Sequence, residues 1–263
     1  MKKLLTLFTI ILTVLSVSAS AYAYQYASGL AVMDLGSFDY SYRCAGEANC
    51  NETGAVGYRE IGVYSAGIAY AFDEYSEDVG AFHSYVLDGW AEAYSNGAFA
   101  YTGFDGNLTG SVAEAKAGDG YGAESGAFAG TFVAAYGFYA LTDIYLTIQM
   151  DYYLEGEVGG DGFGYSEAGS GAILGILSED DNDLQGDWLS VNSSNGAEYY
   201  WEDETLFASV LLGAGDCLTI FAGTAAYAYA NEVNAVPEPD TMILLGAGFL
   251  VMAGLGRKRL IKG

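Results

Sequence analysis

The sequence predicts an all-β protein, an antiparallel β-sandwich or jelly roll, and three observations support that prediction. Long stretches alternate with a period of two, as in YSAGIAYAF from Tyr64 to Phe72, so that alternate residues fall on opposite faces of a strand. Glycine-rich and acidic stretches such as FDGNLTG, AGDGYGAESG and NSSNG punctuate them at short intervals, as turns punctuate antiparallel meanders. The chain is 52% hydrophobic and 15% aromatic, enough to build a core despite a net charge of −25.

From the N-terminus, Met1-Lys2-Lys3 gives a positive start, Leu4 to Val17 is uncharged, and small residues follow. This is the layout of a secretory signal peptide, with A-x-A cleavage after Ala23 or after Ala21. An uncleaved membrane anchor is the alternative, for which the run is short. Three regions follow from this reading: a signal peptide over 1–23, an acidic Gly-, Tyr- and Ala-rich β ectodomain over 24–235, and a tail over 236–263. The ectodomain is long enough for one large β domain or two smaller ones.

Within the ectodomain, Tyr64, Ala66, Ile68, Tyr70 and Phe72 alternate with Ser65, Gly67, Ala69 and Ala71. Phe128, Phe132, Tyr136 and Phe138 are expected on one face of a later strand, and Ile144, Leu146, Ile148 and Met150 oppose Asp143, Thr147, Gln149 and Asp151. ETLFASVLLGAGDCLTIFAGTAAYAYA reads as a hairpin, strands 205–212 and 217–230 around the turn Gly213 to Asp216. Fragments such as AYAF and AYAYA recur without a fixed period, which gives no support to a solenoid or propeller. The ectodomain has no proline, so carboxylate repulsion is the expected guard against edge-to-edge strand pairing.

Charge restricts the partners. Between the signal stretch and the tail the only basic residues are Arg43, Arg59 and Lys116. Nucleic acid is excluded as a partner and polyanionic glycans are disfavoured, because binding either needs Lys and Arg to replace counterions. His83 is the single histidine and has no nucleophile motif around it, so it is read as structural or superficial. No carboxylate pair can be singled out among so many, and the ectodomain is read as non-enzymatic, with no catalytic residues.

Cys44 and Cys50 enclose a polar loop and, in an exported protein, are expected to form a local disulfide. Cys217 opens an apolar strand and is expected to be a buried thiol. The acidic stretch Ser178 to Asp187 partly matches a calcium loop through Asp181, Asp183 and Asp187, although Gln185 and Asn192 occupy slots where stronger ligands belong. A weak calcium site and a solvated turn are both open there, and no other cofactor is expected. Trp90, Trp188 and Trp201 form either a sugar-stacking platform or, the commoner fate in a β-sandwich, part of the core.

The tail begins Val236-Pro237-Glu238-Pro239, where proline cannot continue a strand and holds its predecessor extended. Thr241 to Gly256 is uncharged and ends in Arg257, Lys258 and Arg259. As a helix it is about 24 Å long, slightly short of a ~30 Å hydrocarbon core, a gap that snorkelling basic side chains can close. Read this way it is a single transmembrane helix with its basic end in the cytoplasm.

Proline motif, apolar helix and basic cluster in this order resemble the PEP-CTERM sorting signal. The resemblance implies a sorting motif at Pro237, Glu238 and Pro239, a basic stop at Arg257, Lys258 and Arg259, and processing by an exosortase-type membrane enzyme after signal peptidase has acted. It further implies a Gram-negative bacterium, with the protein held transiently or stably in the inner membrane and destined for the cell surface or extracellular matrix. The expected role is structural or adhesive, in an exopolysaccharide or biofilm matrix with extracellular polysaccharide as partner. The alternative is an exported carbohydrate-binding or carbohydrate-active module.

Overall fold

The computed structural model describes residues 24–46, 55–118, 121–160, 164–178, 180–193 and 197–232. The signal stretch with Ala21 and Ala23, Cys50, and the whole tail with its proline motif and basic cluster lie outside the described residues. Among the described residues there is no helix; every regular element is a strand, paired antiparallel to its neighbours. The all-β, antiparallel expectation agrees with this.

Two six-stranded sheets make up the body. In chain order the strands are β1 (Tyr24–Cys44), β2 (Val56–Asp73), β3 (Glu77–Ser84), β4 (Trp90–Tyr94), β5 (Ala98–Asp105), β6 (Leu108–Gly118), β7 (Glu124–Ala140), β8 (Ile144–Gly160), β9 (Gly164–Ser178), β10 (Asn182–Asn192), β11 (Glu198–Leu212) and β12 (Cys217–Glu232). Sheet A has the order β11-β8-β1-β6-β5-β4 and sheet B the order β10-β9-β12-β7-β2-β3. Their inner faces share one core, which divides along the strands into two parts.

One part is aliphatic: Ile144, Leu146, Ile148, Met150 and Leu154 of β8 meet Leu174 and Ile176 of β9 and Leu206, Val210 and Leu212 of β11. The other is almost entirely alanine, from Ala27, Ala69 and Ala71 through Ala113, Ala115 and Ala117 to Ala226, Ala228 and Ala230. Between them runs a buried chain of hydroxyls. Thr109 meets Thr131 at 2.7 Å, Thr131 meets Thr224 at 2.9 Å, Thr224 meets Ser111 at 2.9 Å, and Ser111 meets Thr102 at 3.0 Å. On β7, Thr131 separates Val133 from Ala129, and on β12, Thr224 separates Ala222 from Ala226.

Four expectations change. The segments 205–212 and 217–230 are strands but not a hairpin: β11 pairs with β8 in sheet A, and β12 pairs with β7 and β9 in sheet B. The chain turns from one layer to the other because the loop is held from the side. Ala214 N–H donates to Asp143 Oδ1 (2.9 Å), Gly215 N–H donates to the Ala140 carbonyl (2.8 Å), and Gly215 takes φ +99°. Phe138 does not share the outward face of Phe128, Phe132 and Tyr136. Gly137, at φ +96°, is an extra residue opposite β12 that reverses the alternation and turns Phe138 onto the aliphatic core.

Cys217 is free but exposed, not buried, because the apolar face of β12 begins at Leu218. Cys44 is in a disulfide. The acidic stretch is not a loop throughout: Asn182 to Asp187 belong to β10, so Asp183 and Asp187 sit about 13 Å apart along a strand.

Asp183 and Asp181 serve the sheet edges. Asp183 Oδ2 accepts from Ser209 N–H (2.6 Å) and Asp181 Oδ2 from Leu211 N–H (3.2 Å), both on β11, the facing edge of sheet A. At the opposite edge, Asp78 of β3 accepts from Tyr94 N–H of β4 (3.0 Å). The carboxylates therefore guard the edges by occupying backbone donors, in addition to any repulsion.

Candidate functional site

The alanine core determines what the outer surfaces carry. On β2 the inward residues are Ser65, Ala69 and Ala71, so Tyr64, Ile68, Tyr70 and Phe72 point outward. On β7 the same polarity exposes Phe128, Phe132 and Tyr136. All three tryptophans are on edge strands and outside the core: Trp90 of β4 is 58% exposed, Trp188 of β10 51% and Trp201 of β11 59%. The core-packing reading of tryptophan is therefore overturned.

Register assembles Trp188, Ile68, Phe128 and Phe132 into a groove across the outer face of sheet B. The paired row Trp188, Gly171, Ala225, Gly130 and Ile68 forms a floor of small residues between Trp188 and Ile68. One flanking row holds Tyr227, Phe128 and Tyr70, and the other Ile173 and Phe132. The cavity is about 450 Å³, and crossing five strands makes it ~19 Å long.

The Trp188 and Tyr227 rings lie flat because each faces a glycine across a strand pair. A Cβ on Gly171 would fall 2.1 Å from the Trp188 ring, and one on Gly169 2.2 Å from the Tyr227 ring. Without those methyls the two rings settle onto the sheet and stack on each other, centroids 5.7 Å apart and 10° from parallel.

Polar groups line one side of this stack. The Tyr227 hydroxyl donates to Glu167 Oε1 and lies 3.2 Å from Ser190 Oγ. Tyr165 donates to the other oxygen of Glu167 (2.7 Å). Burial, and then the bond to Glu167, raise the pKa of Tyr227. The bond to Glu167 is the main reason that Tyr165 is pushed up to about 12. Below Trp188, Tyr152 donates to Asp187, and burial with that bond raises the tyrosine well above its ordinary value. Burial first, then the negative charges of Asp187 and Glu204, raise Glu202.

This pattern recurs across the surface. Tyr153 donates to Glu155 (2.6 Å), Tyr94 to Glu92 (2.9 Å) and Tyr229 to Glu124 (3.1 Å). In a body with so few Lys and Arg, tyrosine hydroxyls and backbone N–H groups supply the donors that carboxylates need.

The expected site residues are not brought together. Asp181 and Asp183 are engaged at the edge of β11 and Asp187 by Tyr152 and the Trp188 N–H. Among the described residues no three His, Cys, Asp or Glu side chains are grouped to hold a metal. His83 is exposed on β3. The sequence reading named Trp188 but missed Tyr227, Gly169 and Gly171, whose roles depend on register.

No curated protein matches the chain. Among solved structures it is aligned with vicilin from Capsicum annuum at 7% identity, covering 81% of this chain and 76% of that one with a TM-score of 0.11, a likeness too low to carry an argument. Residues 235–259 match the family model of the PEP-CTERM protein-sorting motif. The match contains Pro237, Glu238 and Pro239 as well as Arg257, Lys258 and Arg259. At its C-terminus the chain therefore carries a PEP-CTERM protein-sorting motif, the mark of an exported protein sorted by exosortase.

Proposed function

We propose that the β body is a non-enzymatic adhesive module, delivered by its sorting tail to the cell surface or extracellular matrix of a Gram-negative bacterium, where it holds neutral polysaccharide. The observation that carries this reading is the flat Trp188–Tyr227 stack at the end of an apolar groove. The apolar C–H face of a pyranose fits a flat ring, and Ser190 and Glu167 beside the stack are placed to meet its hydroxyls. A −25 chain with no basic residue in the groove favours an uncharged ligand over a polyanion.

The test is co-sedimentation with insoluble neutral glucans, comparing the native body with Trp188→Ala and Gly171→Ala. Both changes should weaken binding about tenfold or more, the first by removing the ring and the second by lifting it from the sheet. Equal binding by all three would remove the groove from the function. For the tail, changing Pro237 and Pro239 to Ala should leave the body membrane-associated, while the native chain is processed and released or attached outside. Fractionation with C-terminal mass analysis reads the difference.

A further inference from the structure

We propose that the outer face of sheet A is a second binding face, specific for an amine-bearing polysaccharide. It uses none of the groove on sheet B and rests on the exported-matrix reading only for the class of polymer. Three consecutive rows cross this sheet: Tyr199-Glu157-Ser28-Glu114-Phe99-Tyr94, Trp201-Glu155-Leu30-Val112-Tyr101-Glu92, and Asp203-Tyr153-Val32-Gly110-Gly103-Trp90. Each begins with an aromatic residue and a carboxylate directly opposite one another, the carboxylate being Asp203 on the edge strand in the third row, and no Lys or Arg occupies any of them.

Trp201 and Tyr153 stack with centroids 6.5 Å apart and 24° between their planes. Tyr153 donates to Glu155, which holds that carboxylate beside the stack. A sugar lying on the Trp201–Tyr153 surface therefore has Glu155, Glu157 and Asp203 around its rim, a negative border that a protonated amine would complement.

The same face already holds cations in this way. The Arg43 guanidinium lies 4.7 Å from the Tyr145 ring centroid and the Lys116 ammonium 5.9 Å from that of Tyr26, both on the outer side of sheet A. These intramolecular pairs show the chemistry available: a cation on a tyrosine face within a strongly negative field. Sheet B differs in degree: its groove is lined mainly by apolar residues and glycines, with Asp187 the one charged residue lining it and Glu167 beside the stack at its end. A flat stacked pair favours a pyranose over a lysine-rich peptide, whose side chains offer no ring to cover it.

Fully deacetylated chitohexaose at pH 6, its N-acetylated counterpart and a short polylysine are the probes, titrated calorimetrically into the native body. The expected result is binding of the deacetylated sugar that weakens with salt, at least about tenfold tighter than the acetylated one. Trp201→Ala and Glu155→Gln should each weaken it about tenfold, while Trp188→Ala leaves it unchanged. Glu155→Gln keeps the size and an acceptor oxygen, and circular dichroism confirms folding of each variant. Equal affinity for both sugars, or no effect of Trp201→Ala and Glu155→Gln, would overturn the proposal. Polylysine binding as tightly through the same residues would also overturn it, in favour of a basic peptide. Failure of the sheet B groove would register separately, as neutral-glucan binding indifferent to Trp188→Ala.

Discussion

The aliphatic and alanine parts of the core solve the same problem in opposite ways. Around β8 and β11, large side chains fill the space between the sheets, and charged or polar residues such as Thr147, Gln149 and Asp151 face out. Around β6 and the C-terminal part of β12, alanine methyls leave a gap so thin that backbone nearly meets backbone. A Cβ on Gly29 of β1 would lie 2.5 Å from the Gly169 carbonyl oxygen of the opposite sheet and 2.8 Å from that of Tyr227. No aromatic ring fits such a gap, so the aromatic members of these alternating strands face outward. The thin core and the aromatic exterior are one feature seen from two sides.

The two parts should therefore respond oppositely to changes of volume. The largest effect is expected in the aliphatic part, where Leu154→Ala, at a fully buried position, should lower unfolding free energy by about 3–4 kcal/mol through lost transfer energy and a cavity. Ala115→Gly, equally buried in the alanine part, should cost only about 1 kcal/mol, mostly backbone entropy. Urea unfolding monitored by fluorescence would measure both, and similar costs would break the comparison.

The converse experiment adds one methyl group. Gly29→Ala must push apart carbonyls of the facing sheet, which have no rotamer with which to yield. It should destabilise by about 2 kcal/mol. A neutral result would mean that the sheets can separate there without loss, and the thin-core account would fail.

Much of the fold was legible, and the reasons for the rest differ by element. Ile144 to Met150 could be assigned directly, because a strand with isoleucine, leucine and methionine on one side and Thr147 and Gln149 on the other has only one sensible orientation. Tyr64 to Phe72 showed an equally clear alternation but not its polarity. Both sides are uncharged, and the choice depends on whether the opposite sheet presents alanine, which is decided by strands far away in sequence. The turn at Gly213 to Asp216 was recognisable, whereas its crossing between sheets depends on Asp143, reached only through the tertiary fold. Trp188 was identifiable as a candidate, but its partner Tyr227 and the glycines beneath both rings came together through a register that no local pattern records.

A smaller effect tests how the alanine end is closed. Asp73, nearly buried at the end of β2, accepts from the N–H groups of Tyr75 (2.7 Å), Ser76 (2.9 Å) and Asn96 (2.6 Å) and from the Ser76 hydroxyl (3.0 Å). It thereby ties the β2–β3 turn to the β4–β5 turn. Burial alone would raise its pKa, but these donors outweigh burial and lower it. A depressed native pKa gives stability that is complete above the unfolded value near 4 and is lost as pH falls through the native one. Asp73→Asn should cost about 1–3 kcal/mol at neutral pH and flatten the acid limb of the stability profile. An acid limb unchanged in the variant would assign it to other carboxylates.

The smallest effect is expected on the outside, at alkaline pH. Tyrosines that donate to carboxylates have native pKa values raised above the ordinary value near 10, with Tyr165 at about 12. Their sign is opposite to that of Asp73: the stabilisation is fully present below the unfolded pKa and disappears as pH rises through the native one. Absorbance titration should show a late-ionising group of tyrosines, including Tyr165 and Tyr227, delayed above pH 10. Glu167→Gln should move Tyr165 and Tyr227 out of that group toward pH 10, because their hydroxyls would lose a charged acceptor. The aliphatic part offers no comparable exterior pairing at Tyr145, which lies beneath Arg43. A single unresolved transition in the native protein would mean that these pairs do not persist in solution, and the aromatic exterior would lose its fixed geometry along with its distinction from the rest of the surface.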